Sequence, residues 1–317
     1  MKRTLTIGTR ESQLAVWQAE LVQQLLLQHG YESELVYIKS DGDIDLITPL
    51  YALGVQGVFT KTLDAALLSN RIDIAVHSMK DVPTQLAQGI VQSAVLPRAS
   101  YKDIFVYNNP EVLQDWLLND ATHTLPITTI EGIIGTSSIR RKAQWLNRYP
   151  HHQIENLRGN VNTRLQKVAQ SHWHGAIFAA AGLERIGLRP SHSVELPWML
   201  PAPAQGAIMI ACLATNTFAQ EATSLLNHTE TALCTKIERD FLHTLMGGCS
   251  TPISALAEIN EQTVTFKGNI FTLNGSKVVE TSLTCDVHQA NDLGSKAANN
   301  LLLKGAKEIV ESIRYAQ

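Results

Sequence analysis

The sequence predicts two α/β lobes followed by a C-terminal α+β domain. Three observations carry that reading. Short apolar runs rich in β-branched residues alternate with amphipathic stretches through the first hundred residues. The same alternation restarts after a less regular stretch near residues 108–131. From Thr229 the order changes to one long helical stretch, then strand-like runs, then a closing helix. A βαβαβ alternation implies a parallel sheet covered by helices, and 317 residues exceed one ordinary core.

The elements follow in order. Residues 5–8 read as a strand and 12–29 as a helix, with apolar Leu14, Trp17, Leu21 and Leu25 and a stop at Gly30. Residues 34–38 are a second strand, and 60–70 a helix capped by Thr60. Ile72, Ile74, Ala75 and Val76, interrupted only by Asp73, have the character of a strand buried on both faces of a parallel sheet. In the second unit, 132–135, 153–157 and 176–179 are strands, and Ser138 and Asn160 open helices. Prolines between Pro197 and Pro203 suggest a crossing segment, after which Gln205-Gly206-Ala207 leads into a strand over 208–212. The third unit has a helix reaching Leu245, strands near Ile253, Val264 and Val278, and a closing helix over 290–314. The expected domains are 1–100 with 204–226, then 101–203, then 227–317.

Composition narrows the function classes. Apolar content of 44% and charged content of 17% are ordinary for a globular protein. With 26 Lys plus Arg against 29 Asp plus Glu, the net charge of −3 argues against a general nucleic-acid binder. Any arginine cluster must then be local. The start, MKRTLTIGTR, lacks the apolar stretch of a secretory signal, and no run is long enough to cross a bilayer. Cys212, Cys234, Cys249 and Cys285 show neither metal-site spacing nor a paired framework. No metal is expected, and a reducing cytoplasm fits best.

The residues that carry chemistry sit beyond strand ends, where ligands bind in open α/β sheets. The strand at Ile72 stops at His77-Ser78-Met79-Lys80-Asp81, and Pro83 prevents further regular pairing. A hydroxyl, an ammonium and a carboxylate arrive together there; the plain alternative is a polar loop with a local Lys–Asp pair. In Gly135-Thr136-Ser137-Ser138-Ile139-Arg140-Arg141, Ser138 is a good N-cap. The two arginines then fall in the first turn, where the helix dipole disfavours cations unless an anion is bound. Amide groups and guanidinium groups together suit a carboxylate or phosphate; the alternative is two solvated arginines. Arg158 lies near the next strand end, Arg164 early in the following helix, Arg185 past the third strand, and Arg10 past the first strand of the chain. Their gathering in an acidic chain points to a polyanion held in a cleft between lobes. Cys249 lies in a Gly247-Gly248-Cys249-Ser250 turn after the long helix. A lone cysteine is more often a small core residue.

HSMKDVP, GTSSIRR, LRGNVNTR, AGLERIG, AQGA and GGC occur in this order over essentially the whole chain. Together they closely resemble the porphobilinogen deaminase, or hydroxymethylbilane synthase, family. The resemblance implies two periplasmic-binding-protein-like α/β lobes and a third domain carrying the cysteine. It implies a dipyrromethane cofactor, made of two porphobilinogen units, attached through a thioether to Cys249 as a primer. Four porphobilinogen molecules would be added head to tail with loss of ammonia, and hydrolysis would then free hydroxymethylbilane. The expected partners are porphobilinogen and the growing oligopyrrole, with no nucleic acid, no membrane and a monomeric state.

Within that resemblance Asp81 matches the catalytic carboxylate, which hydrogen-bonds pyrrole N–H groups, stabilises developing positive charge and shuttles protons. Lys80, Arg140, Arg141, Arg164, Ser12, Ser78, Ser137 and Ser138 match positions holding cofactor carboxylates. Arg10, Gln18, Arg158, Arg185 and Gln205 match substrate positions, and Phe59 an aromatic residue near the reacting ring; simple core packing is its alternative.

Several positions depart from the pattern. Val55-Gln56 replaces a usual Gly-Lys pair in a lid-like loop, and Asp41 stands where a basic residue is common. Ala211 and Leu213 replace charged residues, Thr62 replaces Glu, and the stretch 119–131 is long. A divergent paralogue of reduced activity, or a non-catalytic protein binding a carboxylate-rich ligand, are the competing readings. Pure binding needs neither Asp81 nor Cys249.

Overall fold

The computed structural model describes residues 3–39, 60–110, 131–245 and 251–315. The first lobe opens with β1 (Leu5–Thr9), α1 (Gln13–Gln28), β2 (Ser33–Tyr37), α2 (Lys61–Leu68), β3 (Ile74–Ser78) and β4 (Ile90–Val95). The chain then enters the second lobe through β5 (Asp103–Tyr107) and β6 (Ile133–Gly135). It continues through α3 (Ile139–Arg148), β7 (Gln153–Glu155), α4 (Val161–Gln170), β8 (Gly175–Ala179), α5 (Ala180–Glu184) and β9 (Ser193–Glu195). It returns to the first lobe as β10 (Ile208–Leu213) and α6 (Thr217–Ser224).

The two lobes share one topology. Strand order is β2-β1-β3-β10-β4 in the first and β7-β6-β8-β5-β9 in the second. In each, the fourth strand comes from the crossing chain and runs antiparallel to both neighbours. The sheets are therefore mixed rather than wholly parallel, a correction to the expectation from the βαβαβ pattern. The parallel part, β2-β1-β3, is as the alternation predicts. The antiparallel strands arise because a segment arriving from the other lobe enters the sheet from the opposite end. β4, β5 and β9 were not anticipated from the sequence.

The third domain begins with α7 (Thr229–Leu245), followed by β11 (Ile253–Asn260), β12 (Thr263–Phe271) and β13 (Val278–Asp286) in an antiparallel sheet. α8 (Leu293–Leu301) and α9 (Lys307–Tyr315) close it. Ile237 and Phe241 of α7, Phe266 of β12 and Leu301 of α8 share one buried core. The closing helix is broken rather than continuous, because Gly305 takes a left-handed φ of 101° between α8 and α9. Such a φ interrupts the hydrogen-bond ladder, and glycine bears it at little cost.

Two local expectations shift. The fully buried stripe of α1 is Gln18, Ala19, Val22 and Leu26, with Trp17, Leu21 and Leu25 flanking it half-buried. The apolar face is wide, and Ala19, Val22 and Leu26 belong to the core shared with the sheet. Thr60 precedes α2, but its side chain does not cap the helix amides; it hydrogen-bonds Asp64 instead.

The lobes are joined by crossing segments at 98–101 and 204–206. Ala99 N donates to Gly206 O at 3.1 Å, and Leu96 N donates to Ile208 O at 3.0 Å. Gly206 has a φ of +88°, and a Cβ there would lie 2.7 Å from the carbonyl oxygens of both Ala99 and Ser100. Only glycine allows this approach. The third domain docks on the second lobe: Gln144 Nε2 donates to Ser254 Oγ at 3.0 Å, and Asn147 Nδ2 donates to Gly275 O at 2.7 Å.

Candidate active site

β3 runs buried along Ile74, Ala75, Val76 and His77, then turns into a single 3₁₀ turn over Met79–Asp81. Met79 points into the core, which forces Lys80 and Asp81 toward the inter-lobe side. Asp81 is exposed and Lys80 half-buried. Ser78 Oγ accepts from the buried Gln18 Nε2 at 2.9 Å, so α1 braces the start of this turn.

Lys80 Nζ donates to Gln205 Oε1 at 3.3 Å. Gln205 Nε2 donates to Tyr101 O at 2.7 Å and to Asp103 Oδ1 at 3.0 Å. The hinge glutamine thus ties the Met79–Asp81 turn of one lobe to the first strand of the other. Burial pushes Lys80 down to about 8; Asp81 and Asp103 oppose this, and Arg141 and Arg140 reinforce it.

Asp103, at the start of β5, is the counter-ion that the sequence did not reveal. Arg140 Nη2 donates to its Oδ2 at 2.7 Å, and Arg141 Nη2 and Nε donate to its Oδ1 at 2.7 and 3.1 Å. All three residues are buried. Burial would raise the Asp103 carboxyl, but Arg140, Arg141 and the hydrogen bonds from Arg141 and Gln205 hold it at about 2. Ser138 caps α3 as expected, with Arg141 N donating to its Oγ. The anion that permits cations in this first turn is therefore internal, in part, rather than wholly a ligand. Arg140 Nη1 donates to Leu200 O, and Arg141 Nη1 to Ile177 O.

Arg164 faces the same space from α4, whose N-cap is Asn160. Its Nε donates to Gly159 O at 2.7 Å. Burial pushes Arg164 down to about 10, with Arg141, Arg158 and Arg10 reinforcing and Asp81 opposing. Arg10 also helps depress the buried His77. Arg10, Lys80, Asp81, Arg140, Arg141, Arg158 and Arg164 thus form one electrostatically coupled group spanning both lobes. Cations outnumber carboxylates in it.

Other expected residues play supporting parts. Ser12 caps α1, and Ser137 Oγ donates to Asn156 Oδ1. Arg185 Nη2 donates to Gly206 O at 2.7 Å, and its guanidinium lies 5.8 Å from the Trp17 ring centroid. It joins the second lobe to the hinge and the first lobe; burial lowers it to about 10 against Glu184. Phe59, Cys249, Asp41, Val55 and Gln56, and the 119–131 stretch apart from Glu131, lie outside the described residues. Ala211, by contrast, is buried in β10 against the first-lobe core, so its lack of charge does not bear on the cleft.

A second buried network also escaped sequence reading. Glu238 of α7 accepts from Arg98 Nη1 at 2.6 Å and Nη2 at 3.1 Å, from Ala204 N at 2.6 Å and from Ala257 N at 2.8 Å. Burial would lower Arg98, and Glu238 overrides it, raising the guanidinium. This fixes the third domain to the hinge.

Residues 5–221 match the family model for the porphobilinogen deaminase dipyrromethane cofactor binding domain, and residues 232–303 match that for the porphobilinogen deaminase C-terminal domain. The chain belongs to the porphobilinogen deaminase family. Relatives named porphobilinogen deaminase include that of Acidithiobacillus ferrooxidans, 39% identical over 321 residues and 100% of both chains. Another, from Chlorobium phaeobacteroides, is 37% identical over 322 residues and 99% of both. Looser likeness extends to the VFT2 domain of Bordetella pertussis BvgS, with a TM-score of 0.42, 13% identity and coverage of 70% of this chain and 85% of that one.

The porphobilinogen deaminase cofactor is a dipyrromethane, with an acetate and a propionate on each ring. The residues present fit it. Arg10, Lys80, Arg140, Arg141, Arg158 and Arg164 gather about two carboxylates, Asp81 and Asp103, and a group bearing several carboxylates suits that excess of cations. Among the described residues no helix is long and apolar enough to cross a membrane, and no cluster of three or more His, Cys, Asp or Glu is placed to hold a metal ion.

Proposed function

We propose that this chain condenses four porphobilinogen molecules head to tail, releasing ammonia at each addition, and hydrolyses the product to hydroxymethylbilane, with Asp81 as its acid–base centre. One observation carries the assignment of Asp81. Its exposed carboxylate acts electrostatically on Lys80 of the first lobe and on Arg164 of the second, in a group otherwise dominated by cations.

The bound dipyrromethane supplies a nucleophilic pyrrole carbon and four carboxylates, attached through a thioether to Cys249. Asp81 accepts hydrogen bonds from pyrrole N–H groups and stabilises positive charge that develops on a ring as ammonia leaves. It protonates the departing amine and takes up the proton lost when the ring regains aromaticity. Lys80, Arg141 and Arg164, with Ser12, Ser78, Ser137 and Ser138, hold cofactor carboxylates. Arg140 joins them: like Arg141 it is bonded to Asp103, but each Nη carries two N–H groups and can still reach a carboxylate. Arg10, Arg158 and Arg185 hold incoming substrate, with Gln18 and Phe59 shaping its pocket. Gln205 keeps Lys80 in register with the second lobe.

We assign residues 1–100 with 204–226 to the first lobe, 101–203 to the second and 227–317 to the third domain. The protein is further proposed to act as a cytoplasmic monomer without nucleic-acid partners.

Asp81→Asn tests the assignment. The variant is expected to fold and to retain attached cofactor, while turnover of porphobilinogen falls at least about a hundredfold, the lower end of the range for general acid–base catalysis. Turnover near that of the unaltered protein would remove Asp81 from the mechanism.

A further inference from the structure

We propose that Arg239 is a positioning residue for the condensation: it clamps the turn bearing Lys80 and Asp81 from the helix that leads toward Cys249. The inference rests on the reading of Asp81 as the acid–base centre. Arg239 Nη1 donates to Val82 O at 2.9 Å and reaches Met79 O at 3.5 Å, and its Nη2 donates to Pro83 O at 2.5 Å. These carbonyls flank Asp81 on both sides. A guanidinium presents several donors in a rigid planar fork, so it fixes the carbonyl positions relative to one another as well as to α7.

The turn needs such a brace. Met79–Asp81 is a single 3₁₀ turn, whose internal hydrogen bonding is weak. Pro83 contributes no backbone donor. Val82 N donates to Met79 O at 3.1 Å, which leaves the outward carbonyls to be held from outside. On the next turn of α7, His243 Nδ1 lies 3.4 Å from Thr84 Oγ1 and extends the same contact.

α7 is itself rigidly placed. The residue beside Arg239 is Glu238, fully buried, which accepts from Arg98, Ala204 N and Ala257 N. Adjacent helix residues point about 100° apart, so Glu238 fastens α7 to the hinge while Arg239 grips the catalytic turn. The same helix ends at Leu245, four residues before Cys249. The turn bearing Asp81 is thereby held to a helix of the third domain.

The test is a double-mutant cycle with Arg239→Met, Arg239→Lys and Asp81→Asn, read by attached-cofactor mass, melting temperature and steady-state kinetics with porphobilinogen. Arg239→Met is expected to keep its cofactor and lower kcat about 10- to 100-fold, with KM changing less than about threefold, the signature of a displaced catalytic group. Arg239→Lys should recover part of kcat, because an ammonium reaches some of these carbonyls but lacks the fork. In the Asp81→Asn background, Arg239→Met should cost little more. Full kcat in Arg239→Met, or losses that multiply in the double variant, would overturn the proposal. If Arg239→Met fails to fold, a folded Arg239→Lys with unaltered kcat overturns it equally. High activity in Asp81→Asn alone would instead mark failure of the Asp81 reading.

Discussion

Arg141 Nη2 lies 2.7 Å from Asp103 Oδ1, with both side chains buried between the hinge and the second-lobe sheet. Arg140 occupies the other oxygen of the same carboxylate. One internal anion thus sustains two cations in the first turn of α3, where the helix dipole works against them. It leaves the pair with a net positive charge toward the cleft.

Replacing Asp103 with Asn should destabilise the protein by about 3–5 kcal/mol, because two buried guanidinium groups lose their carboxylate. Urea unfolding of the variant beside the unaltered protein measures this. A loss below about 1 kcal/mol, typical of an exposed ion pair, would show that the group is solvated.

His77 supplies a pH dependence. Burial, with help from Arg10, lowers its folded pKa from 6.5 to about 4. A folded value below the unfolded one means that the unfolded chain takes up the proton first as pH falls. Stability contributed by the neutral imidazole is therefore present above pH 6.5 and is lost between 6.5 and about 4. The loss is about 3 kcal/mol over that window. Unfolding free energies across the window, compared with those of His77→Gln, should show a shallower slope in the variant. Equal slopes would mean that His77 is already accessible to protonation in the folded state.

Much of the architecture was legible because local signals agreed with the tertiary answer. Ser12, Ser138 and Asn160 cap the helices they announce, and β1, β2 and β3 pair in parallel as their spacing implies. The mixed character of both sheets was not legible. Whether Ile208–Leu213 runs with or against β3 depends on the direction from which the chain returns over the hinge, and no residue in the strand encodes that direction.

The site divides in the same way. Lys80, Asp81 and the arginines were visible as polar residues beyond strand ends, and the electrostatic group contains most of them. Asp103 was not visible, since a single carboxylate opening the apolar run Asp103–Tyr107 looks like a strand edge. Glu238 and Arg239 were hidden for a similar reason: charged residues on a long helix read as a solvated face, and only packing against the hinge and the Met79–Asp81 turn gives them partners.

Function in this family rests on a covalent dipyrromethane primer, carried here on Cys249, in a cleft that extends it. The most direct measurement is the intact mass of the purified protein, incubated with porphobilinogen, beside Cys249→Ala treated in the same way. A mass excess equal to dipyrromethane, or to its extended forms, is expected on the unaltered chain, and the bare polypeptide mass for the variant. Equal bare masses for both, or an excess that survives loss of the cysteine, would contradict it.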